Sequence, residues 1–161
     1  MKVFWGYAKR DDQKPNHVTQ LRQQFQIVLE QCLGEDVDFF QDTTGLKWGE
    51  DWRSQLESEV RSADAFVCTL SPSYFNSKTC IQEIVWAKET KIRIYPILYR
   101  ECPKGLKSSF SETSDSLVGK LNSNSAQISL HQYADFTKLR NLPKDSVEVL
   151  NFLDSICEQI A

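Results

Sequence analysis

Short apolar runs alternate along the chain with longer stretches in which apolar residues recur every three or four positions. Val3 to Tyr7 is an apolar run closed by Lys9-Arg10-Asp11-Asp12 and then Pro15-Asn16, the pattern of a buried strand entering a loop. From His17 to Leu33, Val18, Leu21, Phe25, Val28, Leu29 and Cys32 fall at helical spacing, and Gly34 stands where a C-terminal cap belongs. Val37 to Phe40 is a second strand, followed by the turn-rich loop Asp42-Thr43-Thr44-Gly45-Leu46-Lys47-Trp48-Gly49. Asp51 to Arg61 reads as a helix with Trp52, Leu56 and Val60 on one face. Ala65 to Leu70 is an unbroken apolar run, as in a central strand covered on both faces. Thr79 to Lys88 is helical, and Ile92 to Tyr99 is a further strand closed by Arg100-Glu101 and Pro103. Residues 104–125 are polar and serine-rich and predict a long loop with a short helix. Ile128 to Tyr133 predicts an edge strand, and Asp145 to Ile160 an amphipathic helix carrying Val149, Phe152, Leu153 and Ile156.

This alternation predicts an α/β domain: a parallel sheet of five strands with helices on both faces, joined by right-handed crossovers. Function in such sheets gathers at the carboxyl ends of the strands, near the point where strand order reverses. The loops after Tyr7, Phe40, Leu70 and Leu98 are therefore the ones to search. The 161 residues suit a single domain spanning 1–161, with no internal repeat or linker.

Composition narrows the function classes. Apolar residues at 40% and charged residues at 25% suffice for a packed core. A formal net charge of −3, with no basic stripe, gives no attraction for nucleic acid or an anionic membrane. The five cysteines are odd in number and scattered, with no C-x-x-C pair, and His17 and His131 lie far apart. Neither a disulfide framework nor a metal site has its spacing, so reduced thiols in a cytoplasmic protein are expected. No run approaches the roughly 18 apolar residues of a membrane span, and the opening Met1-Lys2-Val3-Phe4-Trp5-Gly6 is too short for a signal peptide.

Elimination then works on the strand-exit loops. Asp11-Asp12 would suit the Mg²⁺ site of a phosphoacceptor receiver, but the third strand ends in Leu70-Ser71-Pro72, without the required aspartate. The 6 glycines form no phosphate-cradling cluster after strand one. Ser71 and Cys80 lack an evident histidine base. What remains is Ser71-Pro72-Ser73-Tyr74-Phe75-Asn76-Ser77-Lys78-Thr79-Cys80-Ile81-Gln82-Glu83. Thr79 and Gln82 have capping-box spacing, predicting a helix that begins near Thr79. Its inward stripe is Ile81, Ile84, Val85 and Lys88. At about 100° per residue Glu83 then lies away from that stripe, able to face the cleft, and the helix N-terminus should favour its ionised form. The plainer reading is a solvated glutamate in a first turn.

Several segments resemble the Toll/interleukin-1 receptor (TIR) domain. Val3-Phe4-Trp5-Gly6-Tyr7-Ala8 resembles its first box, and Asp42-Thr43-Thr44-Gly45 through Trp48-Gly49-Glu50-Asp51-Trp52 resembles its BB loop. Leu70-Ser71-Pro72-Ser73-Tyr74-Phe75, with Ser77, Cys80 and Glu83, is similar to the family's segment after strand three. Gln132-Tyr133-Ala134-Asp135-Phe136 is similar to the late strand of bacterial members. There are two departures: Thr79 stands where many enzymatic members carry an aromatic residue, and the third box reads Phe152-Leu153 rather than phenylalanine-tryptophan.

The resemblance implies a flavodoxin-like three-layer α/β fold and, in the bacterial NAD-cleaving type, a catalytic glutamate that falls on Glu83. It implies NAD as substrate with no further cofactor, and substrate contacts from Tyr7, Ala8, Lys9, Trp48, Ser71, Tyr74, Ser77 and Cys80. Stacking of a base is assigned to the aromatics Trp5, Tyr7, Trp48 and Tyr74. It further implies self-association through the BB loop (Asp42, Gly45, Leu46 and Trp48), a fused or separate sensor domain, and antiphage defence or immune-like signalling. One carboxylate suffices for such chemistry. Ordinary glycosides need a second carboxyl group to protonate the leaving oxygen, whereas a pyridinium departs as a neutral base. Two alternatives stay open: a non-enzymatic TIR adapter, and a nucleoside deoxyribosyltransferase-like enzyme that prefers neutral nucleosides.

Overall fold

A computed structural model describes residues 1–42, 51–102 and 133–161. In chain order the elements are β1 (Lys2–Gly6), a 3-10 turn (Lys9–Asp12), α1 (His17–Leu33), β2 (Asp38–Phe40) and α2 (Trp52–Arg61). They continue with β3 (Ala65–Leu70), α3 (Pro72–Phe75), α4 (Lys78–Glu89), β4 (Arg93–Leu98), β5 (Ala134–Asp135) and α5 (Val147–Ile160). The sheet order is β2-β1-β3-β4-β5. Each neighbouring pair runs parallel, with β1 holding β3 in the register Val3↔Ala65 to Gly6↔Cys68. The order reverses between β1 and β3, so their carboxyl ends form the switch point.

The period-two alternation of the strands divides the interior into two layers. Val3, Trp5, Ala65, Val67 and Ile97 face one way and pack under α1 and α5, with Leu21, Phe25, Leu29, Val149 and Leu153. Phe4, Phe66, Cys68 and Leu98 face the other way, under Leu56, Val60, Tyr74, Ile81 and Ile84 from α2, α3 and α4. The result is the three-layer, flavodoxin-like arrangement expected of the alternation.

Several local expectations shift. β1 stops at Gly6, one residue before Tyr7. Asp51 caps α2 by accepting the Ser54 amide at 3.2 Å. Trp52 is 36% exposed and so does not join Leu56 and Val60 in the core. Pro72–Phe75 forms a helical turn that periodicity cannot register in so short a span. α4 begins at Lys78 rather than Thr79, because Ser77 takes the cap position. The last strand is Ala134–Asp135, and residues 128–132 of the expected strand lie outside the described residues, as does the serine-rich segment. Phe136 behind it is fully buried, stacked on Tyr99 with ring centroids 6.2 Å apart. In α5, Phe152 packs on Phe136 at 5.1 Å and Leu153 is buried.

Candidate active site at the sheet switch point

Strand-exit and helix-entry segments converge beyond the carboxyl ends of β1 and β3. Tyr7 and Ala8 leave β1 buried, and the Tyr7 hydroxyl donates to the Asp42 carbonyl at 2.8 Å, joining the β1 and β2 exits. Lys9 pairs with the Asp42 carboxylate at 3.2 Å. At the β3 exit, Ser71 caps α3 by accepting the Tyr74 amide at 3.0 Å, while its own hydroxyl donates to the Asp11 carboxylate. The other Asp11 oxygen meets Arg100 Nε at 3.3 Å, so one nearly buried carboxylate ties the exits of β1, β3 and β4 together. Asp12 turns the other way and accepts the Thr19 amide at 3.0 Å, fixing the start of α1.

α4 delivers the buried acid of this region. Ser77 accepts the Cys80 amide at 3.3 Å, and the Cys80 thiol, held over β1, donates to the Tyr7 carbonyl at 3.4 Å. One turn on, Glu83 is only 5% exposed, and its Oε2 has no hydrogen-bond partner among the described residues. The carboxylate presses on Gly6. A Cβ there would stand 3.4 Å from Glu83 Oε2, 3.1 Å from the Tyr74 hydroxyl and 3.0 Å from Phe66 Cζ. A side chain at position 6 would need these neighbours to give by a few tenths of an ångström, so glycine suits the close approach.

The electrostatics correct one expectation. Glu83 is the sixth residue of α4, past the first turn in which the helix N-terminus acts. Burial pushes its carboxyl up to about 8, helped by the negative charge of Asp42 and opposed by Lys9. The group is therefore held neutral rather than ionised. Burial also raises Tyr7 and Cys80 to about 12, which makes the Cys80 thiol a packing group and weak donor, not a nucleophile.

A family model for the TIR domain matches residues 3–148. The chain belongs to the TIR domain family. The TIR domains of the activated Roq1 resistosome directly recognizing the pathogen effector XopQ align over 99% of both chains, at 19% identity and a TM-score of 0.59. That of the Toll-related receptor TRR-2 from Hydra magnipapillata aligns over 65% of this chain and 77% of its own, at 19% identity and a TM-score of 0.45. No curated protein sequence matches significantly. At 19% identity the likeness to the resistosome domains is one of fold.

Within this TIR domain the structure brings Tyr7, Ala8, Lys9, Asp42, Ser71, Tyr74, Cys80 and Glu83 into one region, with Ser77 capping the helix that carries Cys80 and Glu83. Gly45, Leu46 and Trp48 lie outside the described residues. Two aromatics are not where stacking would need them: Trp5 is 1% exposed against Phe25, and Tyr74 is fully buried. Both rings are core, Trp5 in the layer under α1 and α5 and Tyr74 in the layer with α2 and α4. Sequence reasoning set Asp11 aside with the failed receiver motif and did not single out Gly6 or Arg100. The signal for Asp11 was its place after β1; nothing in the pattern paired it with Ser71. Among the described residues no cluster of three or more His, Cys, Asp or Glu side chains could hold a metal ion. No described helix is long and apolar enough to cross a membrane.

Proposed function

We propose that this TIR domain cleaves the nicotinamide–ribose bond of NAD, with Glu83 as the catalytic residue. The observation that carries the reading is the buried Glu83 carboxyl, one oxygen unpartnered, at the switch point of the sheet. An unpaired buried carboxyl costs stability, and burial that lifts an acid towards neutrality is a feature of functional sites. An adapter has no use for it.

The chemistry follows from the substrate's charge. The C1′–N1 bond breaks with its electron pair going to the pyridinium nitrogen, which leaves as neutral nicotinamide. Positive charge grows on the ribose, and water adds at C1′ with loss of a proton to give ADP-ribose; attack by the adenine ring instead gives a cyclic product. A carboxyl that is neutral in the free protein becomes ionised when a cation is placed beside it. The ribose hydroxyls would supply the hydrogen bonds that Oε2 lacks, and the anion would stabilise the oxocarbenium in a site shielded from water. Lys9 stands at the β1 exit, where it would meet the pyrophosphate; Tyr7, Ala8, Ser71 and Cys80 hold the floor, and Trp48 is left as the candidate for stacking a base. Self-association through residues 42–49, from Asp42 through Gly45, Leu46 and Trp48, would complete the site. A sensor domain would supply the trigger, in antiphage defence or immune-like signalling.

The test is substrate choice by concentrated or artificially clustered domain. NAD should release nicotinamide, whereas NADH, whose dihydropyridine is uncharged, and neutral deoxynucleosides should remain intact. Preferential cleavage of the nucleosides would favour a deoxyribosyltransferase-like enzyme, and inertness of a demonstrably clustered domain towards all three would leave the adapter.

A further inference from the structure

Two buried oxygens in the site lack an oxygen or nitrogen partner among the described residues: Glu83 Oε2 and the Tyr74 hydroxyl. Tyr74 is fully buried beneath the Ser71–Ser77 segment, its ring edge-on to Phe75 with centroids 6.2 Å apart. Its backbone is fixed too, since its amide is taken by Ser71, which is in turn held by Asp11. The hydroxyl and the carboxylate oxygen converge on one point, 3.1 and 3.4 Å from where a Gly6 Cβ would stand. One is a donor and the other an acceptor; the Glu83 oxygen has no other hydrogen-bond partner among the described residues, and the Tyr74 hydroxyl has only the Cys68 sulfur, a weak acceptor, beside it.

From this convergence we infer that Tyr74 is a positioning residue whose hydroxyl donates a hydrogen bond to the ionised form of Glu83. In the free protein Glu83 is neutral and the bond is open. On ionisation, rotation about the broad terminal torsion of the glutamate turns an oxygen to the hydroxyl. The donor stays in place because its ring is packed on all sides. Gly6 has no side chain to part the two. The other groups that act on this carboxyl are Asp42 and Lys9 from the β2 and β1 exits. Tyr7 and Cys80 couple to it through charge, as does Cys68, whose thiol lies beside the Tyr74 hydroxyl. Of these, the Tyr74 hydroxyl is the neutral donor with no acceptor stronger than the Cys68 sulfur. It would hold Glu83 in the orientation that the oxocarbenium needs, a role that rests on the reading of Glu83 given above.

The proposal is tested on ligand-free protein by following the protonated-carboxyl stretch of Glu83 against pH, with Glu83→Gln as the subtraction control. Tyr74→Phe should move the titration midpoint up by about 1–2 pH units, the worth of one hydrogen bond to a charged group. A fluorinated tyrosine at position 74, a stronger donor that keeps the ring, should move it down, and this arm decides the matter if Tyr74→Phe does not fold. An unmoved midpoint in a folded variant overturns the proposal. Because no NAD is used, a shifted midpoint in a domain that fails to cleave NAD would keep the Tyr74 role and remove the enzymatic reading, and cleavage without a shift would do the reverse.

Discussion

At the scale of a residue, the site depends on keeping a charge out of a place that favours none. The Glu83 carboxyl titrates near 4.5 in an unfolded chain and is raised to about 8 in the fold. Between those values the folded state holds a proton that the unfolded state has released, so this group's stability is fully present below pH 4.5 and is lost as pH rises through 8. Denaturant melts across that window should therefore show wild-type stability falling, by at most about 1.4 kcal/mol per pH unit from this group. Glu83→Gln should flatten that part of the slope, and an identical slope in both proteins would place the carboxyl in water. The sequence singled out Glu83 but gave it the wrong protonation state. A helix-start argument sees distance along the helix, whereas burial depends on strand residues far away in sequence, Gly6 among them.

At the scale of an element, α4 is the arm that carries the site. Its buried line Cys80, Glu83, Ile84 and Ala87 keeps i, i+3, i+4, i+7 spacing, and Ser77 closes its N-terminus. Ser77→Ala should cost about 1 kcal/mol by denaturation, a typical N-cap loss, whereas Thr79→Ala should cost much less. Equal losses would restore the capping box at Thr79. The helical periods of α1 and α5 and the unbroken apolar run of β3 were legible because long apolar patterns carry their own evidence. The cap was not, since Ser77-x-x-Cys80 and Thr79-x-x-Gln82 are both local candidates and tertiary contact chooses between them. Here the Cys80 thiol, drawn to the Tyr7 carbonyl, sets the register. α3 was missed for its length: four residues hold one turn and no period.

At the scale of the whole molecule, the sheet order does the assembling. Reversal between β1 and β3 opens the carboxyl end of the sheet, and Asp11 laces the exits of β1, β3 and β4 through Ser71 and Arg100. The fold class was legible from alternation alone, whereas this lacing was not, because it joins residues 60 apart in sequence that no motif links. On the proposed function, one carboxylate would meet a cationic sugar derivative, and the domain's output should depend on that single group. The most direct measurement is nicotinamide release from NAD by clustered wild-type domain and by Glu83→Gln at matched cluster size. The account predicts turnover by the wild type and a loss of at least about a hundredfold in the variant, the scale seen when a principal electrostatic stabiliser is removed. Equal turnover by the two proteins would contradict it.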